Sequence, residues 1–439
     1  MTAPPIENES EPPLYHEQLI LLILAAVQFI TIVDFMIVMP LGPQLMRSLA
    51  IAPQAFGLVV SSYTFAAGVA GLIAAATVDR FSRRAAFMFL YSGFLLGTLL
   101  CGLATSYPTL LTARIVTGAF GGILGGMSMA IIGDVFPESR RGRATGSLMT
   151  GFAIASVVGV PLGLVIGTNY GWQMSFIALS ALAFPILLLA WFALPPLGTH
   201  LSESRPFTVK AFRATFLQVN HLNAFALIIA LTMSGFLVFP FLSVYLVGNV
   251  GMTENELPMV YVAGGLLTLF ASPVVGRYAD RFGKLRVFRS IAPVSALMLL
   301  LITQLPAGTK WLAIAVFATL MVCNVGRMIP AMAMVVSSVA PSNRGAFLSA
   351  NSSIQHMAGG VASYIGGLIV VQAADGRLAN FWLIGFVSAA FTLLSLWLAG
   401  RLRSAIEPEV LAEEVSLPAA AEASVEAGEP LVVCLDKVS

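Results

Sequence analysis

Asp34, Arg114 and Arg327 lie well inside long apolar runs of this 439-residue sequence, in "QFITIVDFMIV", "LLTARIVTGAF" and "VCNVGRMIPAM". A charge at the centre of such a run costs about 2.5 to 3.5 kcal/mol on insertion scales, so each one retained there points to a function. A lone carboxylate is suited to carrying a proton, because its protonation follows its surroundings. A guanidinium can hold that carboxylate, hold an anion, or tie two helices together. From the residues alone, Asp34 and Arg114 are a proton site or a fixed structural pair, and Arg327 is an anion ligand or a link between helices. Gln28, Asn324, Asn351 and Gln355 can bond substrate or a neighbouring helix. His356 can relay protons or bond another helix.

The elements that position these groups follow from composition. The chain is 58% hydrophobic and only 10% charged, where soluble domains carry roughly 25% charge. It reads as a membrane protein. Crossing a bilayer takes about 20 mostly apolar residues, and twelve such runs can be placed, at 18–43, 54–78, 85–105, 109–134, 144–168, 172–195, 221–248, 256–279, 287–305, 311–337, 345–372 and 379–402. Of the 23 Lys and Arg, two lie well inside runs, three (Arg47, Lys310 and Arg377) lie at the connections after odd-numbered runs, and the other eighteen lie in or beside the connections after even-numbered runs or at the two ends. By the positive-inside rule the even connections and both termini are cytoplasmic. With a rise of 1.5 Å per residue, Asp34 then lies ~5 Å and Arg114 ~10 Å to the outer side of their span centres, and Arg327 ~5 Å to the inner side, so that an arginine can reach Asp34 from either direction. The first seventeen residues lack the positive region and cleavage site of a signal peptide, which leaves span one as the insertion signal. Cys101, Cys323 and Cys434 lack the spacing of a metal or redox motif and read as passive.

The sequence repeats. "VDRFSRRAAF" (78–87), with Asp79, Arg80, Arg83 and Arg84, follows span two as "GRYADRFGKLRVF" (276–288), with Gly276, Asp280, Arg281, Gly283 and Lys284, follows span eight. "PESRRG" after span four returns as "PSNRG" after span ten. Two six-span halves are therefore expected at 18–195 and 221–403, with a short head at 1–17, a cytoplasmic linker at 196–220 whose "FTVKAFRATF" lies along the membrane surface, and a disordered tail at 404–439. Asp79 is expected to begin span three as its capping carboxylate, and Asp134, at the inner end of span four, sits where the basic loop can hold it. The charge burst reads either as a cytoplasmic gate latch or as a purely topogenic signal.

These loops, in a twelve-span chain with repeated halves, resemble the major facilitator superfamily across nearly the whole sequence. The family motif reads G-x-L-A-D-R-x-G-R-R. The second copy matches it better, since the first has Ala75 and Ser82 where glycines are expected. "LTARIVTGAFGG", with Arg114 and Gly118, is similar to the fourth-span motif of proton-coupled members. "GFAIASVVGVPLG", with Gly151, Gly159, Pro161 and Gly163, is similar to the fifth-span motif of drug and sugar exporters, with Val160 inserted before the proline. The glycines and proline read as a packing face or as a gating bend.

The resemblance implies an all-α membrane protein of twelve transmembrane helices in two pseudo-symmetric halves, with spans one, four, seven and ten lining a central cavity. Asp34, Arg114 and Arg327 fall on three of these, and Gln28, Asn324 and His356 complete the cavity candidates. The expected function is proton-coupled export of small organic molecules by alternating access, with Asp34 and Arg114 as the coupling pair. The alternatives are a proton-linked importer of a metabolite whose anionic group binds Arg327, and a non-transporting receptor or scaffold, which would need an added soluble domain. No enzyme chemistry, cofactor, metal or nucleic acid is expected. The partners are substrate, protons and lipid; the protein is expected as a monomer in the cytoplasmic (inner) membrane. Cysteines introduced beside Arg141 and Arg213 are expected to resist impermeant thiol reagents in intact cells, and ready labelling there refutes this orientation.

Overall fold

Apolar runs bounded by proline, serine and glycine become helices, and the computed structural model describes them for residues 14–195, 218–340 and 344–405. The expected surface segment of the linker, most of the head and nearly all of the tail, with Cys434, lie outside the described residues. Span one is Leu14–Ile37, followed by a short helix Gly42–Ser48. Spans two, three and four are Pro53–Thr77, Arg83–Gly102 and Tyr107–Val135. Span five runs from Glu138–Ile154 through a π turn, Ala155–Gly159, into Val160–Tyr170, and span six is Trp172–Ala193. Span seven is Val219–Phe236, broken at Leu237 and Val238 and continued by Phe239–Tyr245 and a second π turn, Leu246–Val250. Spans eight to twelve are Leu257–Phe282, Lys284–Ile302, Lys310–Ser337, Arg344–Ile369 and Phe381–Ala399.

Eleven of these are long and apolar enough to cross a membrane by length and composition. Span eleven has the length, 26 residues, but carries Asn351, Ser352, Ser353, Gln355, His356 and Ser363 among its glycines. Its polarity is accommodated by burial against span two, where glycines replace side chains. A Cβ on Gly57 would stand 2.8 Å from the Ser363 carbonyl, on Gly68 3.0 Å from the Ser353 carbonyl, and on Gly367 3.0 Å from that of Pro53. The two helices meet backbone to backbone along most of their length, as small residues permit.

A second glycine seam joins span five to span one. A Cβ on Gly151 would meet the Ala25 carbonyl at 2.6 Å, on Gly159 the Val33 side chain at 2.3 Å, and on Gly163 that of Ile37 at 3.0 Å. Pro161 stands at the start of the segment after the π turn, where a missing N–H costs least. The exporter-like motif is thus a packing face with a π turn set into it, laid against the helix that carries Asp34.

The two repeated loops differ in a way that accounts for their glycines. After span eight, Gly283 caps span nine with φ +92° and ψ 136°, a conformation reserved for glycine. After span two, the turn Val78–Arg80 continues as 3-10 helix, and Ser82, at φ −59°, caps span three by accepting a hydrogen bond from the Ala85 N–H at 3.3 Å. Ser82 replaces glycine because its backbone needs none. Asp79 consequently does not begin span three: it lies within the 3-10 turn, and the residue poised to receive the orphan N–H is Ser82.

Side chains from both halves, among them Val33, Phe56, Leu110, Leu237, Phe241 and Phe317, make one apolar core. Two further cores are confined to single halves, one around Phe87 and Tyr91 and the other around Phe225 and Phe347. The shared core lies toward the end of the bundle that carries Arg47, and there Arg47 of the first half grips Glu254 of the second, Nη1 to Oε1 at 2.6 Å and Nη2 to Oε2 at 3.2 Å. The separate cores lie toward the opposite end, which carries Arg83. The halves share one apolar core at the Arg47 end and have separate cores at the Arg83 end, while spans two and eleven stay in contact from Gly57 to Gly71.

Two motif glycines should therefore respond differently to alanine. At Gly283 the positive φ predicts a loss of about 1–3 kcal/mol; at Gly276, where no atom lies within 4 Å of an added Cβ, the change should stay within about 0.5 kcal/mol. Thermal unfolding in detergent checks this, and equal effects at the two sites contradict it.

Candidate functional site

Two buried arginines organise the interior, one in each half. In the first, span one brings Asp34, span three Thr98 and span four Arg114. Arg114 Nη1 donates to Asp34 Oδ2 at 2.8 Å, and Thr98 Oγ1 donates to Asp34 Oδ1 at 3.0 Å. The guanidinium lies 4.5 Å above the Tyr63 ring of span two, within cation–π range. Asp34 is 0% and Arg114 1% exposed. Span four can approach this closely because Gly118 and Gly121 leave room for the backbone and hydroxyl of Tyr63, while Gly97 of span three lies against Thr117. The arrangement is buried and charge-balanced. What it can do chemically is hold or surrender one proton at the Asp34 carboxyl.

In the second half, span ten brings Arg327, span seven Ser234 and span twelve Thr392. Arg327 donates from Nη1 to Thr392 Oγ1 at 2.8 Å, and from Nη2 to Ser234 Oγ at 2.8 Å and to Asn324 Oδ1 at 3.0 Å. All three acceptors are neutral. Beside the guanidinium is a cavity of about 80 Å³ lined by Leu231, Thr232, Gly235, Phe236, Phe239, Asn324, Arg327, Met328 and Gln355. Of the two arginines considered able to reach Asp34, Arg114 makes that contact and Arg327 turns instead to partners of its own half.

The other sequence candidates are distributed as follows. Asn324 and Gln355 line the cavity; His356 and Gln28 do not. Gln28 extends toward Gly125 of span four. His356 is half-buried on span eleven. Asp134 is held by the basic loop as expected, Arg83 Nε donating to Asp134 Oδ2 at 3.1 Å; the contact joins spans three and four within one half. The role expected of the Asp79 side chain lies outside the described residues. Arg84 donates to the Trp191 carbonyl of span six, Arg80 and Asp280 are exposed, Lys284 is the first residue of span nine, and Arg281 lies over the Phe282 ring. Sequence reasoning missed Thr98, Tyr63, Thr232, Ser234 and Thr392. Isolated hydroxyls are common in apolar helices, so nothing in the sequence set these apart.

The Asp34–Arg114 pair makes a prediction of its own. Arg114→Gln leaves a buried carboxylate without its cation, and breaking such a pair commonly costs about 3 to 5 kcal/mol. The double variant Asp34→Asn with Arg114→Gln removes both charges and should regain a clear part of that loss. Detergent melting curves of the two variants decide it, and a double variant no more stable than Arg114→Gln contradicts the coupling.

Comparison with known proteins places this geometry in a family. The model of the Major Facilitator Superfamily matches residues 24–326 and, in a second overlapping match, 224–433. The inner membrane transport protein YdhP of Escherichia coli O157:H7 is 24% identical over 366 residues, covering 82% of this chain and 91% of that protein. A probable sugar efflux transporter of Helicobacter pylori strain G27 is 23% identical over 356 residues, covering 80% and 87%. Among solved structures, a D-xylose-proton symporter superposes with a TM-score of 0.70 at 13% identity, over 87% of this chain and 97% of that one. The twelve helices in two halves, with a buried arginine in each, are a transporter and not an enzyme: the chain belongs to the Major Facilitator Superfamily.

Proposed function

We propose that the protein is a proton-coupled exporter of small organic molecules, working by alternating access in the cytoplasmic membrane with both termini inside. The observation that carries this reading is Asp34, a carboxylate 0% exposed, three residues before the end of the span-one helix Leu14–Ile37 and held by Arg114 and Thr98. Adding a proton to Asp34 removes one charge of a balanced pair and leaves Arg114 without its counter-ion. A site so arranged ties protonation to a change in helix contacts, because the guanidinium must then find another acceptor.

The rest of the molecule agrees with such a cycle. The eighteen basic residues of the even connections and the two ends make the Arg83 end cytoplasmic under the positive-inside rule. The Arg47 end, with its shared core, is then the closed outer gate, sealed in part by Arg47 and Glu254, and the separate cores belong to an inward-facing arrangement. Opening outward breaks that pair and brings the two cytoplasmic cores together. Arg83, Asp134 and the charged loop with Asp79 lie at the end that must close, which fits the latch reading. The export reading rests on the resemblance of the span-five stretch with Gly151, Gly159, Pro161 and Gly163 to the exporter motif, a face that packs on span one beside Asp34, at Val33. The name of the Helicobacter relative agrees. An importer of an anionic metabolite is the second reading, and the observation favouring it is the absence of a carboxylate against Arg327 among the described residues.

Asp34→Asn tests the coupling in proteoliposomes. Asparagine keeps the hydrogen-bonding shape and loses the proton, so exchange of substrate down its own gradient should persist while pH-driven uphill export vanishes. Uphill transport with unaltered pH dependence refutes the role of Asp34, and uptake driven by an inward proton gradient selects the importer.

A further inference from the structure

The two halves treat their buried arginines unequally. Arg114 in span four meets Asp34 of span one. Arg327, in span ten of the repeat, meets Ser234 of span seven, with Thr392 and Asn324 completing its partners. Arg327 is 1% exposed, and none of its acceptors carries charge. A guanidinium buried in hydrocarbon with only neutral partners keeps an uncompensated positive charge, and such charges are normally paired. Two residues that line the adjoining cavity each carry a buried polar atom with no hydrogen-bond partner, Arg327 Nε and Thr232 Oγ1. The charge and the idle polar atoms belong to residues lining one cavity. The remaining wall is apolar, from Leu231, Phe236, Phe239 and Met328.

We infer that this cavity binds the anionic head of the transported molecule, an organic monocarboxylate with an apolar body. The proposal rests on the reading that the protein transports small organic molecules, and it names their class. One uncompensated cation matches one negative charge. A carboxylate accepts from the two donors that lack a partner, Arg327 Nε and the Thr232 hydroxyl, while Gln355 and Asn324 line the same space. The apolar wall favours a hydrocarbon or aromatic body over a sugar or a multiply charged phosphate. About 80 Å³ is a small space; it suits a head group, with the body extending between Phe236 and Phe239. In the first half the buried arginine is met by the protein's own carboxylate, Asp34. The second half takes its carboxylate from the cargo.

The test measures binding of radiolabelled benzoate to the full-length protein purified in detergent, with benzamide as the neutral isostere. No gradient is present, so the outcome is independent of transport direction and of the proton role of Asp34. The wild type should bind benzoate saturably, with benzamide at least tenfold weaker as a competitor. Ser234→Asp places an internal carboxylate against Arg327; it should melt no lower than the wild type and lose benzoate binding at least tenfold. Arg327→Gln should show the same loss, and the Ser234→Asp result stands without it if that variant fails to accumulate. Wild-type protein that does not bind benzoate, that binds benzamide equally, or whose benzoate is displaced by chloride at equal concentration overturns the proposal. So does Ser234→Asp with unchanged affinity.

Discussion

Positive charge in hydrocarbon has to be answered by something, and the interior of this protein is arranged around two such charges. Arg114 is answered by the Asp34 carboxylate and by the face of Tyr63. Arg327 is answered by two hydroxyls and an amide. The first solution balances charge within the fold. It draws spans one, two, three and four into fixed relation, because each supplies a group to the same few cubic ångströms. The second leaves electrostatic demand on a cavity wall. In a molecule built of repeated halves, one half supplies its buried arginine with a carboxylate and the other supplies only neutral acceptors.

Close backbone approach makes these arrangements possible. Hydrophobicity does not drive helices together inside lipid, so contact depends on packing and on polar bonds. Glycines supply the packing where spans two and eleven meet and where spans five and one meet. Both seams are smooth and carry few side-chain bonds, which suits surfaces that must shift during a transport cycle. The Arg47–Glu254 pair is a different kind of contact, polar, exposed on one side, and set at the end where the core is common to both halves. Exposed ion pairs of this kind contribute little stability, about 0–1 kcal/mol. Under the proposed cycle, an outer gate closed by such a pair and by apolar contact is one that modest free energies open.

The fold was legible because its constraint is crude. Twenty apolar residues between charged turns spell a span, and the positions of arginines spell orientation. The helix limits moved by a few residues; span five begins in the loop, at Glu138, and passes Pro161 through a π turn. Half of the candidate site was legible for the same reason: Asp34 and Arg114 are conspicuous where charge is costly. Their pairing was open, since Arg327 stood within arm's length by depth alone, and only side-chain direction separates the two. The partners of Arg327 were not legible. Ser234 and Thr392 are ordinary in apolar helices, and a cavity is a property of three helices at once. Asp79 was misplaced by the opposite error. A carboxylate before a helix is a strong capping signal, yet the chain inserted a 3-10 turn and gave the cap to Ser82.

Span eleven has a bearing on how the protein is made. Its serines, asparagine, glutamine and histidine leave it the one described span that fails the hydropathy criterion for crossing a membrane. A translocon that sorts segments by their partitioning has weak reason to release it sideways into lipid. What makes the helix at home in the bilayer is span two, whose glycines receive its polar backbone-rich face and which leaves the ribosome long before it. Biogenesis of the second half is therefore templated by the first: the penultimate helix acquires its place by docking on a partner already waiting, and a chain with a damaged span two should be recognised as unfinished at its far end.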